Sequence, residues 1–262
     1  MTDPVNQEPP REIDDPWRVM RAATRARIGL GRSGNGQVTR DVLAFQADHA
    51  RARDAVHTPL DTEALRLGLR PRQALTVTSA AKDRPGFLGR PDLGRRLGIE
   101  SRECLERGDW DLVFVLGDGL SAQAVSRHGP SLVASCCDGL PGWRIAPPII
   151  ALQCRVALGD DIAACLGARM VAVLIGERPG LTVSDSMGVY LTHAPAPGTP
   201  DSKRNCLSNI HDHGLSPAEA TVKLLWLINE ARRLGLTGVE LKERTPQAPS
   251  ELQREEKGRL AP

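Results

Sequence analysis

Short, continuous apolar runs dominate the second half of the chain. Met170–Ile175 is apolar and rich in β-branched residues, which predicts one buried strand because the run is too short for a helix. Asp111–Leu116 and Ile145–Leu152 are expected to form two more strands, and Ser186–Thr192 a further one. Segments of helical periodicity separate the first three strands, at 122–137 and 160–168. Strands separated by helices of this length predict an α/β fold, a Rossmann-like parallel sheet with helices on both faces.

Capping residues mark where the helices of this region begin and end. The segment Ser216–Glu219 combines a capping box with proline at the first helical position, and it predicts a long helix that ends at Gly235. Asp160 is expected to cap the helix over 160–168. Glycine and proline after the strand Met170–Ile175 predict a sharp turn at its carboxyl end, where ligands bind in open α/β sheets.

The first hundred residues favour helices. Pro16 predicts a helix over 17–30 that ends at Gly31, and Gly31–Gly36 is expected to be a flexible loop. Thr39 is expected to cap a second helix, a third covers 62–69, and Gln73–Ser79 alternates enough to form a strand. The apolar positions of the second helix are Val42, Leu43, Ala47 and Ala50.

These patterns divide the chain into four segments. Residues 1–14 are polar and proline-rich, and they are expected to be a disordered tail, as are residues 245–262. Residues 15–106 are expected to form a smaller, mainly helical N-terminal domain, and residues 107–244 the α/β domain.

Composition excludes several classes of protein. The chain has 262 residues, a formal net charge of +2 and only 3% aromatic residues, which argues against a dedicated nucleic-acid binder. It contains no apolar run long enough to span a membrane, and its N-terminus lacks the apolar region of a signal peptide. Six cysteines without a CxxC pair favour reduced thiols in a cytosolic protein.

Two loops at predicted strand ends offer binding chemistry. Gly117–Ser121 is glycine-rich but is neither GxGxxG nor a P-loop, so it either offers backbone N–H groups to an amide or a phosphate or is a purely structural turn. Glu177 follows the strand Met170–Ile175, where a carboxylate is usually solvated or paired, here with Arg178. These loops predict an α/β ligand-binding domain without a self-contained catalytic set.

Other polar groups leave alternatives open. Cys206, His211 and His213 match no standard zinc spacing, so no metal site is expected. Arg204 could lower the pKa of the Cys206 thiol, but no base accompanies it. The arginines at positions 90, 95 and 96 either clamp a phosphate or an acidic partner, or belong to an ion-paired surface helix.

Seven segments together carry a family resemblance, and in chain order they read DPWRVMRAATRARIGLGRSG, FLGRPDLGRRL, GDGLSA, CRVALGDDI, LIGERPGL, SDSMGVYLTH and RNCLSNIHDHGLSPAEA. From about Asp15 to Lys242 the chain resembles the small (light) subunit of ethanolamine ammonia-lyase. Each segment alone is weak, but their joint occurrence in this order is specific. Phe87 stands where relatives often have tyrosine.

The resemblance implies a reaction and a cofactor. The family enzyme is a lyase that converts ethanolamine to acetaldehyde and ammonia, with adenosylcobalamin as the source of a radical. The large subunit, a TIM barrel, holds the substrate site, so no catalytic residue is expected in this chain. No histidine here follows an aspartate by two residues, as in the DxHxxG motif of base-off cobalamin proteins, which agrees with base-on binding.

The resemblance also implies which residues contact cobalamin. The valine of the RV motif is Val156, the glutamate of GERPGL is Glu177, and the cysteine of RNCLSNI is Cys206. Arg155 and Tyr190 are further candidates nearby. Corrin amides need hydrogen-bond donors and acceptors, so Val156 is expected to act through its backbone and Glu177 as an acceptor.

The implied partner is the large subunit, in a higher oligomer, a hexamer of heterodimers. Cytoplasmic placement is expected, and the short N-terminus leaves open whether the enzyme enters a bacterial microcompartment. A stand-alone nucleotide-binding or oxidoreductase domain is disfavoured because GxGxxG is missing. A scaffold that has lost cobalamin is disfavoured because GERPGL and RNCLSNI are intact.

Overall fold

The computed structural model describes residues 15–24 and 26–244, so both expected tails lie outside the described residues. The chain divides into two compact units, residues 1–51 and 52–262. Among the helices of the described ranges, not one combines the length and apolar character that crossing a membrane requires.

In its described residues, the first unit has one short helix and one short hairpin before its last helix. It comprises α1 (Arg18–Ala23), a hairpin of β1 (Arg32–Ser33) and β2 (Gly36–Gln37), and the first part of α2 (Thr39–His57). The helix predicted over 17–30 is therefore too long, because Thr24 is already extended, and the loop expected at 31–36 is a hairpin instead. The apolar series of α2 is largely exposed, with Leu43 at 58%.

The described part of the second unit is a mixed α/β fold of helices and one sheet. Its helices are α3 (Thr62–Gly68), α4 (Arg84–Gly89), α5 (Ile99–Glu103), α6 (Ala122–Asp138), α7 (Leu158–Leu166) and α8 (Pro217–Leu234). Its strands are β3 (Leu75–Thr78), β4 (Val113–Gly117), β5 (Ile149–Leu152), β6 (Met170–Gly176), β7 (Met187–His193) and β8 (Arg204–Ile210).

Within the described residues these strands form a six-stranded sheet in the order β3-β5-β4-β6-β7-β8. β3, β5, β4 and β6 are parallel, whereas β7 and β8 are antiparallel to their neighbours. The α/β class is confirmed, and the expected parallel sheet is present in part, because two antiparallel strands extend it at one edge. The links from β6 to β7 and from β7 to β8 have ten residues each, too few for a crossover helix.

Burial on both faces explains why the central strands read as continuous apolar runs. Every residue of β4 and β6 is buried. Phe114 and Leu116 belong to the cluster that contains α6 and α8, whereas Val113 and Val115 belong to the cluster that contains α7. The prediction of helices on both faces is therefore confirmed.

The sheet includes a strand from the segment before residue 107, and one predicted strand is shorter than expected. β3 pairs in parallel with β5, so the segment around residue 75 belongs to the sheet, and the compact units divide between residues 51 and 52. β5 begins only at Ile149 instead of Ile145, because Pro147 and Pro148 provide no N–H for strand pairing.

Of the two helix N-caps predicted in this region, one is confirmed and one is wrong. Ser216 and Glu219 form the reciprocal capping box at the start of α8, and Gly235 follows its end with φ +69°. Asp160 does not cap α7, which begins two residues earlier at Leu158. Its buried carboxylate pairs with Arg204 instead, with oxygen–nitrogen distances of 2.7 and 2.8 Å.

Candidate functional site

The carboxyl ends of three adjacent strands form the candidate site. We call the segments 117–121 after β4, 153–157 after β5 and 176–186 after β6 the strand-end surface. The chain leaves β4 toward α6 on one face of the sheet and leaves β5 toward α7 on the other. A crevice opens where successive connections diverge in this way, which is where α/β sheets bind ligands.

Two adjoining cavities lie on this surface. The Glu177 cavity, of about 420 Å³, is lined by Arg155, Val156, Glu177 and Tyr190 together with Gly119 and Arg178. The Arg155 cavity, of about 390 Å³, shares Arg155, Val156 and Tyr190 with it. Cys206 is the direct cross-strand partner of Tyr190. The structure therefore brings all five sequence-predicted residues to one region.

The Glu177 carboxylate is held by the antiparallel strands. Ser186 Oγ donates to its Oε2 at 2.5 Å, and the backbone N–H of Asn209 donates to the same oxygen at 3.2 Å. The expected pairing with Arg178 is not among the ion pairs of the described residues, and Arg178 is exposed. The side chain is thus fixed in one orientation with acceptor capacity left on Oε1.

Gly188 makes room for that orientation. A methyl group added at Gly188 would lie 2.9 Å from Glu177 Oε1, closer than side-chain contacts allow. A larger residue at position 188 would displace the carboxylate. A glycine inside a strand is a sequence signal of such close approach, and it marks a site residue that the sequence patterns alone did not single out.

Arg155 carries an unused hydrogen-bond donor. Its guanidinium lies over the ring of Phe87 at 4.4 Å, and its buried Nε has no hydrogen-bond partner among the described residues. Burial lowers the pKa of Arg155, and the nearby positive charge of Arg95 adds to this effect. The structure therefore leaves one buried donor unsatisfied in a residue that lines both cavities.

Cys206 lies within β8. Arg204 does not activate it, because the guanidinium of Arg204 binds Asp160, Thr192 and the Thr199 carbonyl oxygen. Desolvation by neighbouring atoms raises the pKa of the Cys206 thiol, although the residue as a whole is exposed, and this is the opposite of the expected direction. The geometry fits a contact residue rather than a nucleophile.

The 117–121 loop favours the structural interpretation. The N–H groups of Asp118 and Leu120 donate to the carbonyl oxygens of Ala151 and Gly176, at 3.2 and 2.9 Å. The Asp118 carboxylate accepts from the N–H groups of Gln153 and Cys154 at 2.9 and 2.8 Å, so it joins the loops after β4 and β5. Burial raises the pKa of Asp118 despite these bonds. Sequence patterns gave no signal for this bridging role.

Both ring nitrogens of His211, which follows β8 directly, have hydrogen-bond partners. His211 Nε2 lies 2.8 Å from Asn209 Oδ1, and its Nδ1 accepts from the His213 N–H at 3.2 Å. Within the described ranges, no group of three His, Cys, Asp or Glu side chains is arranged to hold a metal ion. All six cysteines lie in the described part, and each is a free thiol there.

The fold and the site define a mixed α/β protein with open cavities at the ends of its parallel strands. The family model of the ethanolamine ammonia-lyase light chain matches residues 14–242. The chain belongs to this family.

The sequence similarity to known proteins covers nearly the whole chain. The ethanolamine ammonia-lyase small subunit of Ralstonia nicotianae is 47% identical over 253 residues, which cover 93% of this chain and 94% of that protein. The small subunit of Azotobacter vinelandii is 50% identical over 242 residues, covering 88% and 89%. That of Rhodopseudomonas palustris is 50% identical over 236 residues, covering 86% and 89%.

Proposed function

We propose that this chain is the small subunit of an adenosylcobalamin-dependent ethanolamine ammonia-lyase and that it binds the cofactor at the interface with the large subunit. With the large subunit it would convert ethanolamine to acetaldehyde and ammonia. The observation that carries the proposal is the convergence of Arg155, Val156, Glu177, Tyr190 and Cys206 on one open surface of a chain from this family. A hexamer of heterodimers in the cytoplasm is part of the proposal.

The residues of this surface fit a corrin. The corrin ring is wide and flat, and two adjoining open cavities that share three residues suit it better than one closed pocket. Its peripheral amides need both donors and acceptors. Arg155 Nε is a buried donor without a partner, and Glu177 Oε1 is an acceptor held in place.

The chain's own groups would bind, orient and shield. When bound, adenosylcobalamin supplies a carbon radical by homolysis of its cobalt–carbon bond. Glu177 would accept a hydrogen bond from one corrin amide, Arg155 would donate to another, and Val156 would act through its backbone. Tyr190 and Cys206 would pack beside the ring and exclude water. This division of labour agrees with a chain in which sequence patterns show no complete catalytic set.

Base-on binding is also part of the proposal. His211 uses both ring nitrogens on Asn209 and His213, so it is not positioned as a free axial ligand for cobalt. This chain would then supply no ligand to the cobalt.

Reconstitution tests the proposed function. The purified chain is expected to release no ammonia from ethanolamine, and to support ammonia release once it is mixed with the large subunit and adenosylcobalamin. Omission of adenosylcobalamin should abolish the activity. Ammonia release by the chain alone, or an equally active large subunit without this chain, would contradict the proposal.

Glu177→Gln should weaken cobalamin binding in the assembled complex. The glutamine oxygen would take over the bonds from Ser186 and Asn209, and its amide N–H groups would then face a corrin amide donor. Equilibrium dialysis is expected to show a Kd for cobalamin raised roughly tenfold or more, as for the loss of one charge-assisted hydrogen bond.

The thermal midpoint should change little, because no apolar core residue is altered. Glu230→Gln makes the same chemical change on α8, where Glu230 pairs with Arg233, and should leave the Kd as it is. Equal affinities for the Glu177→Gln variant and the parent complex would argue against a corrin contact at Glu177.

A further inference from the structure

A third and larger cavity adjoins the Arg155 cavity of the strand-end surface, where the corrin is proposed to bind. This arginine cavity, of about 720 Å³, is lined among others by Arg95, Arg96, Arg102, Asp161, Thr199 and Asp201. It shares Arg95, Ala157 and Asp201 with the Arg155 cavity. A ligand that covers Val156 and Tyr190 can therefore extend one of its groups to Arg95 without leaving a continuous surface.

The charges in the arginine cavity do not cancel. Arg102 lies 3.4 Å from Asp161, and Asp201 accepts from Arg204 at 3.1 Å, so both carboxylates already have a cationic partner. Arg95 and Arg96 are exposed, and neither forms an ion pair with another residue of the described ranges. Their two positive charges are the uncompensated ones, which favours an anionic ligand group.

The backbone that carries these arginines is fixed on both sides. The Arg155 N–H donates to the carbonyl oxygen of Gly94 at 2.9 Å, and the Ala80 N–H donates to that of Arg96 at 2.8 Å. The Leu97 N–H donates to the buried Asp161 carboxylate at 3.0 Å. The two guanidinium groups thus extend from an anchored segment, so no backbone ordering is needed when an anion binds.

We propose that Arg95 and Arg96 bind the phosphodiester of the cobalamin nucleotide tail. This inference rests on the proposed function, since it assigns a second subsite to the same cofactor. The amides around a corrin are neutral, and the phosphodiester is the anionic group of the nucleotide tail. Guanidinium groups bind phosphate oxygens in a bidentate manner. The nucleotide tail leaves the corrin ring at its edge. The arginine cavity adjoins the Arg155 cavity, so it would lie beside the edge of a corrin bound there.

Three corrinoids and four variants test this assignment in the complex with the large subunit. Cyanocobalamin carries the phosphodiester and the base, cobinamide phosphate carries the phosphate without the base, and cobinamide carries neither. Their Kd values are measured by equilibrium dialysis for Arg95→Gln, Arg96→Gln and the double variant. Arg90→Gln is the matched control, because Arg90 pairs with Asp92 and does not line the cavity.

We expect each single variant to raise the Kd of cyanocobalamin and of cobinamide phosphate roughly tenfold, and the double variant to raise both further. The Kd of cobinamide should stay within about twofold, and Arg90→Gln should change none of the three values. If the variants lose affinity equally for cobinamide and cyanocobalamin, or lose affinity for neither, the assignment is overturned.

Two further results would also count against it. If the variants lose affinity for cyanocobalamin but not for cobinamide phosphate, the arginines contact the base of the nucleotide tail rather than its phosphate. A salt-dependent weakening of subunit association with unchanged corrinoid affinities would assign them to an acidic surface of the large subunit. If the parent complex binds none of the corrinoids, the proposed function itself fails, which separates that failure from this one.

Discussion

Asp160→Ala is expected to lower the free energy of unfolding by about 3–5 kcal/mol, which is typical of breaking a buried ion pair from one side. The side chains of Asp160 and Arg204 are 1% and 2% exposed and meet through two parallel hydrogen bonds. Arg204 also donates to Thr192 and to the Thr199 carbonyl oxygen. Removal of the carboxylate therefore leaves a buried guanidinium without its main counter-charge.

Urea unfolding of the purified chain measures this effect, and two variants control it. Asp92→Ala removes an exposed carboxylate that pairs with Arg90, and it should leave the unfolding midpoint unchanged. Asp160→Leu combined with Arg204→Met should recover much of the loss, because neither charge then remains buried. A loss below about 1 kcal/mol for Asp160→Ala would mean that Arg204 is not dependent on this carboxylate.

Gly119→Ala is expected to push apart the loops after β4 and β6, and so to lower both the free energy of unfolding and the affinity for cobalamin. Gly119 has φ +53°, and a methyl group there would lie 2.2 Å from the carbonyl oxygen of Gly176 and 2.6 Å from Ile175 Cγ1. The left-handed conformation and the overlap together are expected to cost about 2–5 kcal/mol of unfolding free energy. Cobalamin affinity of the assembled complex should also fall, because the Glu177 cavity is lined by both loops.

Gly142→Ala separates the two causes of that loss. Gly142 has φ +78° but no atom within 4 Å of an added methyl group, so only the conformational cost of about 1–2 kcal/mol is expected. Cobalamin affinity should be unaffected in this control. Equal losses of stability for the two variants would show that the loops accommodate a side chain at position 119.

The parallel part of the sheet could be predicted because its strands are buried on both faces. β4 and β6 therefore read as apolar runs without alternation. The start of α8 could be predicted because a capping box is local. β7 was expected as a strand over 186–192, but β8 and the antiparallel pairing of both strands were missed, although the ten-residue link after β6 was already too short for a crossover helix.

The site could be predicted only as a set of candidates. The family resemblance pointed to Glu177, but no spacing in the sequence connects it to Ser186 and Asn209, because the register of β7 and β8 creates those contacts. Asp160 looked like a helix cap because local signals cannot reveal a partner 44 residues away. Tertiary contacts of this kind decide the roles of polar residues, and a pattern of neighbours along the chain does not contain them.

The proposed binding of the corrin by this chain is tested most directly by a structure of the chain assembled with the large subunit and cobalamin. We predict that Val156, Glu177 and Cys206 all lie within about 4 Å of the corrin or its amide side chains, the usual limit of a contact. A corrin bound in the complex with these three residues remote from it would contradict the account.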